Sequence, residues 1–167
     1  MLNYCRKQKM FSKGELIMKY EVNNGTLAIV PNDENSSVIY EDEERYIIKE
    51  VPFKIMEDSC RYFGSTYKGR KDGAKEILGA EYKVPIIVED STNLIIFPTT
   101  SPLAEDCVWI SLKRVKKFEK IDFNNTKLIF DNDIELIVPC SYRTVENQIS
   151  RASRLDLIMR NRKKFND

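Results

Sequence analysis

Val84–Pro98 reads VPIIVEDSTNLIIFP. Two apolar runs rich in isoleucine flank the polar group Asp90-Ser91-Thr92-Asn93, the pattern of a β-hairpin and its turn. The runs are continuous rather than alternating, so both faces of these strands are expected to be covered. Downstream, Thr99–Asp106 with Pro102 is a loop, and CVWISL (Cys107–Leu112) and RVKKFEKID (Arg114–Asp122) are further strand candidates. TKLIF and IELIVP, joined by Asp131-Asn132-Asp133, form another hairpin. Upstream, LIMKYEV and TLAIVP about Asn23-Asn24-Gly25 read as a hairpin, since Asn-Gly supplies the positive φ angles of a tight turn. NDENSS reads as a loop, and VIYEDEERYIIKEV as two strands about the acidic connection Glu41 to Glu44.

Three segments switch to helical spacing. In Pro52–Gly64, Phe53, Met56, Cys60 and Phe63 recur every three or four residues, with proline placed to start the helix and glycine to end it. Lys68–Leu78, closed by Gly79, is a second candidate. The last helix is expected from Thr144 as cap to Phe165. At 100° per residue, Val145, Ile149, Ala152, Leu155 and Met159 share one side, and Arg143, Asn147, Arg151, Arg154 and Arg162 fall on the other. The whole reads as α+β: antiparallel hairpins, a short central helical insert and a C-terminal amphipathic helix. Residues 20–167 are expected to form one domain behind a basic extension, residues 1–19, in which Arg6, Lys7, Lys9 and Lys13 meet no acid before Glu15. That extension is either a solvated terminus or an arm that follows a phosphate backbone.

Composition narrows the chemistry. The 167 residues are 42% hydrophobic and 32% charged, enough for a packed core. Histidine is absent, which removes Ser-His-Asp and Cys-His catalysis and Cys2His2 zinc binding. Cys5, Cys60, Cys107 and Cys140 lie far apart without CxxC spacing, as expected of reduced thiols in a cytoplasmic protein, and no metal or other cofactor is expected. Neither a signal peptide nor a run of roughly 18 apolar residues is present, so no membrane partner is expected.

The net charge of +1 hides basic segments. Between Ser59 and Lys75, Arg61, Lys68, Arg70, Lys71 and Lys75 face only Asp72, a balance of five bases to one acid. Between Lys113 and Lys120, Lys113, Arg114, Lys116, Lys117 and Lys120 face only Glu119, again five to one. Arg143–Lys164 carries seven bases and two acids. Such segregation lets one face engage phosphates, although any single cluster reads equally as a solvated face. Lys68-Gly69-Arg70-Lys71 has a finer grain: a Gly-Arg step is thin enough for a narrow minor groove, where A/T-rich DNA concentrates negative potential. Tyr62, Phe63 and Tyr67 interleave with these bases, either to stack on DNA or to anchor the helices. Cys60 lies in basic surroundings but on the apolar stripe, and reads as a buried structural thiol. Glu81-Tyr82-Lys83, with Asp72 or Asp90, has the Glu-x-Lys order of some metal-dependent nucleases, a match that arises easily by chance.

Asp58-Ser59-Cys60-Arg61-Tyr62-Phe63-Gly64-Ser65, followed by Tyr67-Lys68-Gly69-Arg70-Lys71, resembles the central signature of the ComK family of competence transcription factors. The likeness continues in order through Val84–Val88, Ile96–Thr99, Cys107-Val108-Trp109-Ile110-Ser111, Ser141-Tyr142 and Glu146-Asn147-Gln148 ahead of Arg151. It covers roughly Tyr20 to Leu157. The resemblance implies a cytoplasmic, nucleoid-associated activator of DNA-uptake genes and not an enzyme. It would bind A/T-rich boxes of double-stranded DNA through the minor groove as a homo-oligomer, with RNA polymerase as a further partner. The residues expected on DNA are Arg61, Lys68, Gly69, Arg70, Lys71, Lys75, Lys113, Arg114, Lys116, Lys117, Arg143, Asn147, Arg151 and Arg154. Nothing in these 167 residues matches the tail through which better-known members undergo adaptor-dependent proteolysis, so control by that route is not expected, and residues 1–19 match nothing in the pattern. The competing readings are a divalent-metal nuclease and a regulator acting only through protein contacts.

Overall fold

A computed structural model describes residues 19–165. The basic extension, apart from Lys19, and Cys5 lie outside the described residues. Two antiparallel sheets and three helices make up the rest, in keeping with the α+β reading. The first strands are β1 (Thr26–Asp33), β2 (Ser36–Glu41) and β3 (Arg45–Ile48), followed by α1 (Pro52–Tyr62) and α2 (Tyr67–Leu78). Then come β4 (Ile86–Glu89), β5 (Leu94–Pro98), β6 (Trp109–Ser111), a 3-10 turn (Leu112–Arg114), β7 (Val115–Lys120), β8 (Thr126–Phe130), β9 (Glu135–Val138) and α3 (Tyr142–Lys164).

The larger sheet has the order β3-β2-β1-β6-β5-β4 and the smaller β7-β8-β9. As the continuous apolar runs require, β4 and β5 are covered on both faces. Ile86, Val88, Leu94 and Ile96 pack with Met56 and Cys60 of α1 and with Trp109. Ile87, Ile95 and Phe97 pack with Ala74 and Leu78 of α2, with Val145, Ala152 and Leu155 of α3, and with Leu128, Phe130 and Leu136 of the small sheet. The sheet interior thus separates two apolar cores. Helix α1 ends in a Schellman arrangement: Ser65 N–H donates to Cys60 O at 3.0 Å and Gly64 N–H to Arg61 O at 3.0 Å. Gly64 adopts φ +82°, which explains the glycine. Gly79 closes α2 at φ +63°.

Three local expectations are corrected. The Asn23-Asn24-Gly25 turn does not join two strands, because Tyr20–Val22 is not extended into a sheet. Both edges of β1 are taken, by β2 and β6. The incoming segment is held by α1 instead: Val22 is buried and its N–H donates to Ser59 Oγ at 3.0 Å. The first hairpin turns at Glu34-Asn35, inside the stretch read as a loop, where Asp33 Oδ1 accepts from the Asn35 N–H at 2.8 Å. Helix α3 begins two residues before Thr144, and its cap is Ser141, whose Oγ accepts from the Thr144 N–H at 3.2 Å. The described cysteines are free thiols, with Cys60 and Cys107 buried. Among the described residues no helix is long and apolar enough to cross a membrane.

Candidate nucleic-acid interface

The Gly-Arg step is helical. Thr66 caps α2 by accepting from the Gly69 N–H at 3.0 Å, so Lys68 and Gly69 sit on the exposed first turn, and the thin extended step does not form. A Cβ at Gly69 would meet Thr66 Oγ1 at 3.1 Å, so the glycine makes room for the cap itself. Arg70 and Lys71 flank the inward stripe of Tyr67, Ala74 and Leu78 and enter no ion pair among the described residues. Arg70 Nε is buried without a hydrogen-bond partner. Neither Asp72 nor Glu76 holds it, and Lys68 takes Asp72 at 2.7 Å. Lys75 pairs with Glu81 at 2.7 Å, and Arg61 approaches Asp58 at 3.6 Å. Of the interleaved aromatics, Tyr67 turns inward, edge-on to Phe53 and Trp109, whereas Tyr62 remains 62% exposed against Phe63.

The second cluster is largely engaged in the fold. Arg114 donates through Nε and Nη2 to Asp131 and through Nη1 to Asn24 O at 2.9 Å, and Nη2 also reaches Asp42. Its hydrogen bonds to the Asp131 and Asp42 carboxylates hold the guanidinium firmly in the charged form. It ties the small sheet to the β2–β3 turn, and four of its five N–H donors are engaged there. Lys116 pairs with Asp133 at 2.9 Å and Lys117 with Glu119 at 3.0 Å, while Lys113 donates to Thr92 O.

The third cluster is free along its outer face. Arg143, Asn147 and Arg154 are exposed on α3 and make no hydrogen bond or ion pair among the described residues. Arg151 donates to Tyr82 O at 3.1 Å, and the buried Gln148, which sequence reasoning did not single out, donates to Lys83 O at 2.8 Å and Pro98 O at 2.7 Å. These bonds dock the segment after α2 onto one flank of α3. On the other flank, where Tyr142 of α3 meets Phe118 of β7 with ring centres 4.9 Å apart, a cavity of about 340 Å³ lies between the two elements, edged by Lys113 and Asp156. The C-terminal half is pinned to the β4–β5 turn through Lys163 to Asn93 Oδ1 at 2.6 Å and Asp156 to Asn93 Nδ2 at 3.2 Å. Helix α3 is thus docked on the segment after α2 and on the β4–β5 turn, and it presents Arg143 and Arg154 outward without an ion pair among the described residues.

The catalytic alternatives find no matching geometry. Burial pushes the Cys60 thiol up to about 11, far from a reactive thiolate. Glu81, Asp72 and Asp90 are each held by a different lysine, and no three His, Cys, Asp or Glu side chains among the described residues are grouped to hold a metal ion.

A family model described as ComK protein matches residues 17–164. The competence transcription factor of Bacillus subtilis strain 168 is 36% identical over 151 residues, spanning 89% of this chain and 76% of that protein. No solved structure matches the chain.

Proposed function

The chain belongs to the ComK family, and from that membership we propose that it is a DNA-binding regulator of competence genes. The observation that carries the DNA-binding part is the unpaired outer face of α3. Arg143, Asn147 and Arg154 project from one rigid helix, and of the two acids in Arg143–Lys164, Asp156 is bound to Arg160 and Asn93. Cations without protein partners release condensed counterions on meeting phosphates, which gives affinity without sequence information. Arg151 lies beside them, fixed by Tyr82 O.

Selectivity for A/T-rich boxes is assigned to α2. Arg70 has no acid to hold it among the described residues, and its guanidinium gains most where a narrow minor groove focuses negative potential. The guanine amino group obstructs that groove floor, so G/C pairs are disfavoured. Lys71 and Lys68 serve as flanking phosphate contacts, and Gly69 preserves the cap that orients them. The protein acts in the cytoplasm on the nucleoid, as a homo-oligomer on DNA, with RNA polymerase as a further partner and without covalent chemistry. A gel-shift comparing an A/T-box duplex with a G/C-rich duplex at one salt concentration tests this. Tighter binding to the A/T duplex, weakening steeply as salt rises, supports the reading. Equal affinity or a flat salt response refutes it.

A further inference from the structure

The β7–β8 hairpin ends in an apolar tip that none of the basic clusters accounts for. Phe123 is 84% exposed and Ile121 is 47% exposed. The turn that carries them is tightly made. Ile121 N–H donates to Asn125 O at 3.1 Å, Asn125 Nδ2 donates to both Asp122 oxygens at 3.0 Å, and Asn124 N–H donates to Asp122 Oδ1 at 2.8 Å. Asp122 spends its carboxylate inside the turn, and the Asn125 bond holds it below the usual carboxylate range. Lys120 places its ammonium 4.7 Å from the centre of the Phe123 ring. Exposing a phenylalanine costs solubility and gains nothing for the fold, yet here it is presented on a fixed turn beneath a cation. Lys116, Lys117 and Lys127 are held by Asp133, Glu119 and Glu135, but Lys120 enters no ion pair among the described residues, so the tip sets one free cation beside Phe123 and suits a polyanionic occupant.

We propose that this tip is a base-step wedge: Phe123, backed by Ile121, enters between two stacked base pairs of bound duplex, while Lys120 moves from the ring to a flanking phosphate. Apolar side chains inserted at a base step unstack it and kink the duplex, and flexible pyrimidine–purine steps such as TA yield most readily. The proposal rests on the DNA-binding reading above.

The test is permanganate reactivity of thymines in an A/T-box duplex, which rises when a base loses its stacking partner, measured beside a gel-shift on the same samples. The wild-type chain should make one or two thymines hyper-reactive. Phe123→Ala should still shift the duplex while reactivity at those thymines returns to the free-duplex level, and Phe123→Leu should retain part of the signal. Because the ring is exposed, both variants should melt like the wild type. Bound duplex without hyper-reactive thymines, or the same pattern with Phe123→Ala, overturns the wedge. So does a loss of self-association in Phe123→Ala without DNA, which would make the tip a contact between copies. Failure of the wild-type chain to shift any duplex instead removes the DNA-binding reading itself.

Discussion

Arg114 and Asp131 form a two-pronged ion pair: Nε lies 3.0 and 2.8 Å from the two carboxylate oxygens, and Nη2 lies 2.7 Å from Oδ1. The pair joins the 3-10 turn to the end of β8, and the same guanidinium reaches Asp42 on the large-sheet side. Arg114→Ala should therefore lower stability by about 2–3 kcal/mol, the order of hydrogen bonds to charged groups. Arg114→Lys should recover only part, since an ammonium cannot reproduce the fork. DNA affinity per folded molecule should stay unchanged. Thermal melts and gel-shifts on the folded fraction check both, and a loss of affinity without a loss of stability would return Arg114 to the interface.

Arg143 and Arg154 predict the reverse separation. Neither side chain holds any part of the fold, so the double alanine variant should melt within about 0.5 kcal/mol of the wild type. If each arginine neutralises one phosphate, the slope of log affinity against log salt should shrink by about 1.8 in magnitude. An unchanged slope would leave α3 a solvated helix. Arg151→Ala should by contrast cost some stability as well, because it strips the bond to Tyr82 O.

Arg70 should be the discriminating residue. Arg70→Ala is expected to cost about 1–3 kcal/mol on an A/T box and less on G/C-rich DNA, with stability unchanged or slightly higher because a buried, unpartnered Nε is removed. Lys68→Ala should weaken both duplexes equally. Equal losses on the two DNAs for Arg70→Ala would reduce it to a phosphate contact.

Glu89 gives the acid limb of the stability profile. Partial burial pushes its carboxyl up, but hydrogen bonds from Ser91 and Thr92 outweigh this and bring it down to about 2. A depressed folded value means the ionised form stabilises the fold. That contribution is full above the unfolded carboxylate value near 4.3 and fades as pH falls toward 2. Glu89→Gln should flatten the loss of stability between about pH 4.5 and 2. An identical acid limb in the variant would show that the β4–β5 turn is held by other bonds.

What the chain determines by itself is local. Apolar periodicity reports which side of an element is dry, and so VPIIVE and NLIIFP, the Met56–Cys60 stripe and the Val145–Leu155 stripe were all readable before any contact was known. The ordered blocks from Asp58 to Arg151 likewise carry the family likeness, and they placed the bases of α2 and α3 in view. What only the tertiary structure decided is who stands opposite whom. Tyr20–Val22 belongs to a stretch of strand composition but joins no sheet, because β2 on one side and the distant β6 on the other take both edges of β1. Arg114 and Arg154 look alike in a charge count, yet Arg114 meets Asp42 from 72 residues away while the Arg154 side chain meets no partner among the described residues. Gln148 carries a polar side chain and is nevertheless buried, because two carbonyls from other elements converge on its amide. A cation's freedom to bind DNA depends on whether folding brings it a carboxylate, and the folded chain alone makes that assignment.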